Sequence, residues 1–200
     1  MKPLIKWSGS KQDELIEIRK YLPENYETYI EPFFGGGSLF FDLQPKHSII
    51  ADIHLELINF YRQIKNSKSN EIFDFMEKHQ NTEEIYYQVR DNPELIQNEV
   101  DEASRFYYLR KTCFRGMMRY NKKGKFNIPF GRYKTVNYTA LLEPEYQSVL
   151  KNTEILKKDF SYVFENYNDE RNFVFLDPPY DSPFKKYFTD FDRDDQRKIK

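Results

Sequence analysis

Short apolar runs alternate with helix-spaced apolar residues along most of this chain. Leu15, Ile16, Ile18 and Leu22 recur at helical spacing and stop at Pro23. Residues 28–31 read as a short strand, halted by Pro32 because proline cannot donate to a ladder. Phe33-Phe34-Gly35-Gly36-Gly37 follows, and Ser38 is expected to cap a helix carrying Leu39, Phe40, Phe41 and Leu43. A second strand, 47–51, ends at Asp52, and Leu55, Ile58, Tyr61 and Ile64 carry the next helix. Strand, Gly-rich turn, helix, strand, acid, helix is a βαβ arrangement.

From 69 to 142 the helical spacing dominates, at 72–76, 85–89 and 106–114. Lys122-Lys123-Gly124 then divides Arg119-Tyr120-Asn121 from Lys125-Phe126-Asn127-Ile128, which predicts a hairpin. Strand-like runs return at 154–156 and 172–176. The whole predicts an α/β fold: a parallel sheet from residues 1–66 and 153–200, interrupted by a mainly helical insertion at 67–152.

Composition adds limits. Two hundred residues suffice for one domain, or one with an insertion, and a net charge of −1 names no partner. Cys113 is the only cysteine, which excludes an intramolecular disulfide framework and a Cys-rich zinc site and fits a reducing compartment. His47, His54 and His79 are scattered without ligand spacing and read as surface residues; no metal is expected. The N-terminus shows neither a signal peptide nor a membrane span.

The chemistry concentrates at predicted strand ends, where parallel sheets place their ligands. Glycines after the first strand let the backbone approach a ligand, and Asp52 follows Gly35 by 17 residues, near the spacing of a ribose-binding acid. Asp177-Pro178-Pro179-Tyr180 ends the 173–176 run. It is either a plain strand-ending turn or a site for the planar amino group of a nucleobase. For the second it offers a carboxylate, a carbonyl on a residue without N–H, and an aromatic face. Between Arg105 and Lys134 lie ten Lys/Arg and no acid, which leaves −11 to the rest of the chain. The ten are Arg105, Arg110, Lys111, Arg115, Arg119, Lys122, Lys123, Lys125, Arg132 and Lys134, interleaved with aromatics; such a stretch is either a solvated face or a phosphate-binding one.

Five segments in order carry a family resemblance. They are Leu4-Ile5-Lys6-Trp7-Ser8-Gly9-Ser10-Lys11, Glu31-Pro32-Phe33-Phe34-Gly35-Gly36-Gly37-Ser38, Ala51-Asp52-Ile53, the 119–134 stretch with Arg119-Tyr120-Asn121 and Asn127-Ile128-Pro129-Phe130-Gly131-Arg132-Tyr133-Lys134, and Asp177-Pro178-Pro179-Tyr180. Together they span nearly the whole chain, which resembles the DNA adenine-N6 methyltransferases typified by the enzyme that methylates GATC. The resemblance implies a Rossmann-like S-adenosylmethionine-dependent methyltransferase, double-stranded DNA as partner and base flipping. It implies a monomer with a cognate restriction endonuclease as candidate partner, in the cytoplasm or a virus-infected host cell.

Residue by residue, it implies catalysis at Asp177, Pro178, Pro179 and Tyr180. Cofactor contacts would come from Trp7, Lys11, Phe33, Gly35, Gly37, Asp52, Asp159 and Asp177. Trp7 and Lys11 would border the methionine part, Asp52 the ribose and Asp159 the adenine; a core tryptophan, a solvated lysine and a helix cap are the bland readings of Trp7, Lys11 and Asp159. DNA contacts would come from Arg115, Arg119, Asn121, Lys122, Lys123, Arg132, Tyr133 and Lys134, with Arg119 reading a guanine. Ser10 stands where the family usually has glycine, so strain and weaker cofactor affinity are expected there if φ is positive. Arg115 stands where asparagine is frequent. Three further strands are expected beyond a helix capped by Asp192, so the chain reads as incomplete, with 173–176 left as an exposed edge. Cytosine-N4 methylation, or an inactive DNA- or cofactor-binding remnant, are the alternative functions.

Overall fold

The computed structural model describes residues 1–179 together with Asp195 and Lys198; Tyr180 and the expected Asp192-capped helix lie outside the described residues. Strands β1 (Tyr29–Glu31), β2 (Ser48–Ala51), β3 (Thr153–Leu156) and β4 (Phe173–Val174) form a parallel sheet in the order β3-β2-β1-β4. Ile30 pairs with Ile49, and Ile49 in turn with Glu154. β1 and β2 are buried along their whole length, as strands covered on both faces must be. The expected strand 173–176 is a ladder of two residues, although the Phe175 N–H still donates to the Ile30 carbonyl at 2.8 Å before the prolines end the pairing.

Eight α-helices occur among the described residues: α1 (Leu15–Ile18), α2 (Ser38–Leu43), α3 (Leu55–Lys65), α4 (Ser69–Lys78), α5 (Glu83–Asp91), α6 (Glu99–Thr112), α7 (Pro144–Lys151) and α8 (Phe160–Asn166). Side chains alternate across the sheet as strand geometry requires. Tyr29 and Ile50 enter a large core with α2, α3, α4, α6 and α7, whereas Ile30, Ile49 and Ala51 turn to the other face and meet Val163 of α8. That large core is continuous from Leu4 to Ile155, so the helices between 67 and 152 pack on the same apolar mass as the sheet. Phe60 of α3 stacks on Tyr107 of α6 with centroids 5.1 Å apart, and the Tyr86 hydroxyl donates to the Ile128 carbonyl at 2.7 Å.

Two local expectations are corrected, and a third, the hairpin, is met in a short form. Ser38 is the first residue of α2 rather than its cap; Gly37, in a left-handed conformation, holds the cap position. The expected helix 106–114 stops at Thr112, because Cys113 bridges to Phe130 and the Phe114 N–H donates to the Pro129 carbonyl. The hairpin is present as one antiparallel bridge, Tyr120 to Phe126, closed by a turn in which Gly124 has φ +71°.

Candidate active site

β1 lies between β2 and β4, and the chain crosses over in opposite directions from it, which opens a crevice at the carboxyl ends of these strands. The Gly-rich turn after β1 lies in that crevice. Gly35 has φ +50°, and a Cβ there would stand 2.6 Å from the Trp7 indole. The turn is pinned by Asp52 at the end of β2: its carboxylate accepts from the Gly35 N–H at 3.0 Å and the His54 N–H at 2.9 Å. Burial pushes the Asp52 pKa up against the lowering effect of those bonds.

The loop after Trp7 closes one wall. Gly9 takes φ +83°, but Ser10 stays outside the left-handed region, so the strain expected at Ser10 is absent. Instead the Ser10 and Ser38 hydroxyls share a hydrogen bond of 2.7 Å, which ties this loop to the start of α2. The Lys11 ammonium reaches 2.7 Å from the Asp177 carboxylate and donates to the Gly9 carbonyl at 3.1 Å. Burial raises the Asp177 pKa, and Lys11 opposes the shift.

Sequence reasoning did not single out Glu31 as a site residue. Its carboxyl ends β1, is 3% exposed, and accepts a hydrogen bond from the Tyr29 hydroxyl at 2.6 Å. Burial raises its pKa to about 8, with Asp177 and Asp52 adding to the rise. Its place at a strand end, the same signal that marked Asp52 and Asp177, could have found it.

All these groups face one cavity of about 1090 Å³. Trp7, Lys11, Phe33, Gly35, Gly37, Asp52, Asp159, Asp177, Pro178 and Pro179 line it, so the structure brings together every described cofactor and catalytic candidate. At one end Phe33 stacks on Phe160 of α8, with centroids 5.4 Å apart. Asp159 also caps α8, accepting from the Tyr162 N–H at 3.0 Å.

Two further wall residues depart from the expectation of the sequence. His54 is half-buried rather than a surface histidine; its Nδ1 accepts from the Leu57 N–H at 3.2 Å, and its ring meets Trp7 edge-on at 5.7 Å. Burial and the nearby Arg110 charge lower its pKa to about 4, so it is neutral at ordinary pH. Arg110 is 4% exposed, stacked over the Trp7 ring at 5.3 Å, and donates to the Lys6 carbonyl. Arg105 is likewise turned inward, donating to the Val89 and Arg90 carbonyls. Neither belongs to an exposed basic face, because α6 is packed on several sides and helical spacing alone does not show that.

Of the DNA candidates, Arg119 and Asn121 reach the rim of the cavity, while Arg115, Lys122, Lys123, Arg132, Tyr133 and Lys134 do not line it. Arg119 is exposed but braces the hairpin, with Nε donating to the Asn127 Oδ1 at 2.8 Å. The Asn121 Oδ1 accepts from the Lys123 and Lys125 N–H groups and so shapes the turn. Lys122, Lys123 and Lys134 are exposed. Arg115 and Arg132 are exposed at φ +54° each, and Tyr133 is half-buried, its carbonyl accepting from Asn81.

A nucleoside bearing an amino-acid arm fits this donor set. Asp52 presents a carboxylate at the strand end, aromatic rings stand at one end, and Arg110, which lines the cleft, has two buried guanidinium nitrogens without a partner among the described residues. Among the described residues no cluster of His, Cys, Asp or Glu could hold a metal ion, and no helix is long and apolar enough to cross a membrane.

Comparison with known proteins agrees with this geometry. The model of the D12 class N6 adenine-specific DNA methyltransferases matches residues 7–200. The Type II methyltransferase M.CviBI of Paramecium bursaria Chlorella virus NC1A is 56% identical over 190 residues, which is 94% of this chain and 72% of the relative. The Type II methyltransferase M.MjaIII of Methanocaldococcus jannaschii is 38% identical over 228 residues, covering 100% of this chain and 78% of the relative. A DNA adenine methylase of Haemophilus influenzae is 32% identical over 183 residues, covering 90% and 64% respectively.

Proposed function

Because the chain belongs to the D12 class N6 adenine-specific DNA methyltransferases, we propose that its cleft carries a methyl group from S-adenosylmethionine to the N6 of an adenine flipped out of duplex DNA. The observation that carries this reading is the Lys11–Asp177 pair, at 2.7 Å, in one cavity with Asp52 and the Gly-rich turn. Acceptor and cofactor candidates therefore share one space.

The bound cofactor supplies an electrophilic methyl on sulfur. The chain's residues do the rest. Asp52 offers its remaining lone pairs to the ribose hydroxyls, while its bonds to Gly35 and His54 hold it in place. Phe33 and Asp159, which line the cavity, would border the adenine, and Trp7, also in its wall, would border the methionine arm. Asp177 and the Pro178 carbonyl accept from the two hydrogens of the target amino group. That frees the nitrogen lone pair, which otherwise is delocalised into the ring, and the carboxylate stabilises the positive charge that develops there. Lys11 favours the ionised Asp177 that this role needs. Orientation of the two reactants contributes about 7–11 kcal/mol. A base inside a duplex cannot reach the cavity, hence flipping.

We assign the hairpin and its flanks, within 67–152, to target recognition. Arg119 at the rim would read a guanine of a GATC-like site after releasing Asn127, and Lys122, Lys123 and Lys134 would meet phosphates. The Type II names of two relatives point to a cognate restriction endonuclease as functional partner, with the work done in the cytoplasm or an infected host cell. The test is radiolabelled methyl transfer to duplex DNA, with the product base identified by mass. N6-methyladenine is expected; N4-methylcytosine, or no transfer by folded protein, would overturn the reading.

A further inference from the structure

Arg110 is a charged side chain whose burial the fold alone does not explain. It projects from α6 into the wall of the cleft and is 4% exposed. One terminal nitrogen donates to the Lys6 carbonyl, and the guanidinium plane lies 5.3 Å from the Trp7 ring centroid. Its Nε and Nη1 are buried and meet no acceptor among the described residues. Burial disfavours its charged form, and a buried cation is costly unless it is paired. Glu56 favours its charge without a direct hydrogen bond, and the carboxylates of the cleft are engaged elsewhere. Glu56 accepts from the Tyr120 hydroxyl, Asp177 pairs with Lys11, and Asp52 holds the Gly35 turn. His54, beside it, is neutral.

We propose that Arg110 is the anion anchor of the cleft, holding the carboxylate of the cofactor's methionine arm through Nε and Nη1. The proposal rests on the cofactor reading given above. The chemistry selects this ligand. Guanidinium presents a planar fork that matches a carboxylate in a bidentate pair. Trp7, which borders the methionine arm in that reading, lies directly under the fork. The other cations that line the cleft among the described residues are engaged: Lys11 with Asp177 and the Gly9 carbonyl, Arg119 with Asn127, and Lys198 with Asp195. A backbone phosphate of DNA is the competing anion. Phosphates stay on the outside of the bound duplex, whereas Arg110 lines the cavity and these two nitrogens are buried. Arg110 thus fixes where the methionine arm lies and, through it, the line from sulfur to Asp177.

The probes are S-adenosylmethionine and decarboxylated S-adenosylmethionine, which differ only in the carboxylate, bound to the full chain in calorimetry. The wild type should bind the first about 10- to 100-fold more tightly, as expected for a charge-assisted pair. Arg110→Met, which keeps the stem over Trp7, should lose that preference and leave affinity for the decarboxylated nucleoside unchanged. Arg110→Lys should recover part of it. Equal affinity of the wild type for the two probes overturns the proposal, whether or not the variants fold. A Met variant that weakens both probes equally makes Arg110 a packing residue. One that binds both as the wild type does, but weakens duplex binding, hands it to the nucleic acid. If the wild type binds neither nucleoside, the cofactor reading itself falls.

Discussion

The Lys11 ammonium stands 2.7 Å from the Asp177 carboxylate, joining the loop before the first helix to the end of the last described strand. The pair puts a cation beside the carboxylate that must stay ionised to accept from an amino group. It follows that Asp177→Asn, which keeps shape and loses charge, should reduce methyl transfer by about 10²–10³ while leaving the fold intact. Single-turnover kinetics with circular dichroism checks both; near-normal turnover would remove Asp177 from the chemistry. In the wild type the rate should fall on the acid side, because burial raises the Asp177 pKa and protonation abolishes its acceptor role.

Asp52 has two tasks. It accepts from Gly35 and His54, and it faces the cavity. Asp52→Ala should weaken S-adenosylmethionine binding by about 1.5–3 kcal/mol and cost about 1–3 kcal/mol of stability through the unpaired N–H groups. Calorimetry and urea unfolding on the same variant test this. Unchanged cofactor affinity in a destabilised protein would reduce Asp52 to a buttress of the turn.

Ser10→Gly separates two readings of one residue. Had φ been positive, glycine would relieve strain and tighten cofactor binding. Since Ser10 lies outside the left-handed region and shares a 2.7 Å hydrogen bond with Ser38, glycine should instead cost about 0.5–1.5 kcal/mol of stability. A rise in melting temperature would contradict this.

Much of the site was legible because its signals are local. A strand that must stop at Pro32 or Pro178, a Gly run, and an acid at the next strand end all follow from backbone chemistry, and the structure puts them on one edge. Tertiary packing hid the rest. Arg105 and Arg110 sit in the same basic stretch as Lys122 and Lys123, yet α6 turns the first two inward and the hairpin leaves the second two exposed. His54 looked like a stray histidine because nothing in its neighbourhood announces Trp7 and Phe106, which come from distant segments. Ser10 keeps a φ outside the left-handed region, and its hydroxyl meets that of Ser38, 28 residues away, a partner its sequence neighbours do not announce.

The hairpin should separate phosphate contacts from base reading. Removing Lys122 and Lys123, exposed at its turn, should weaken binding to every duplex and flatten the salt dependence. Arg119→Ala should lose about 1–3 kcal/mol of discrimination at one guanine. Because Arg119 also braces Asn127, Asn127→Ala is the control for a loosened hairpin. Equal weakening of all sequences by Arg119→Ala would make it a phosphate clamp.

The buried Glu31 predicts how stability varies with pH. Its pKa rises from the usual 4.5 to about 8 in the fold, so the folded chain holds a proton that the unfolded chain releases. Between those values the unfolded state binds fewer protons, and stability must fall as pH rises. Asp52 and Asp177 are raised as well, so their contributions share the sign. Glu31→Gln removes the Glu31 titration and can still accept from the Tyr29 hydroxyl. Its amide nitrogen adds a cost that does not vary with pH, so the slope is the diagnostic quantity. Urea unfolding from about pH 5 to about pH 8 should show the wild type losing about 2–5 kcal/mol more than the variant. Parallel profiles would mean that Glu31 is ionised in the fold, with the Tyr29 hydroxyl stabilising its charge.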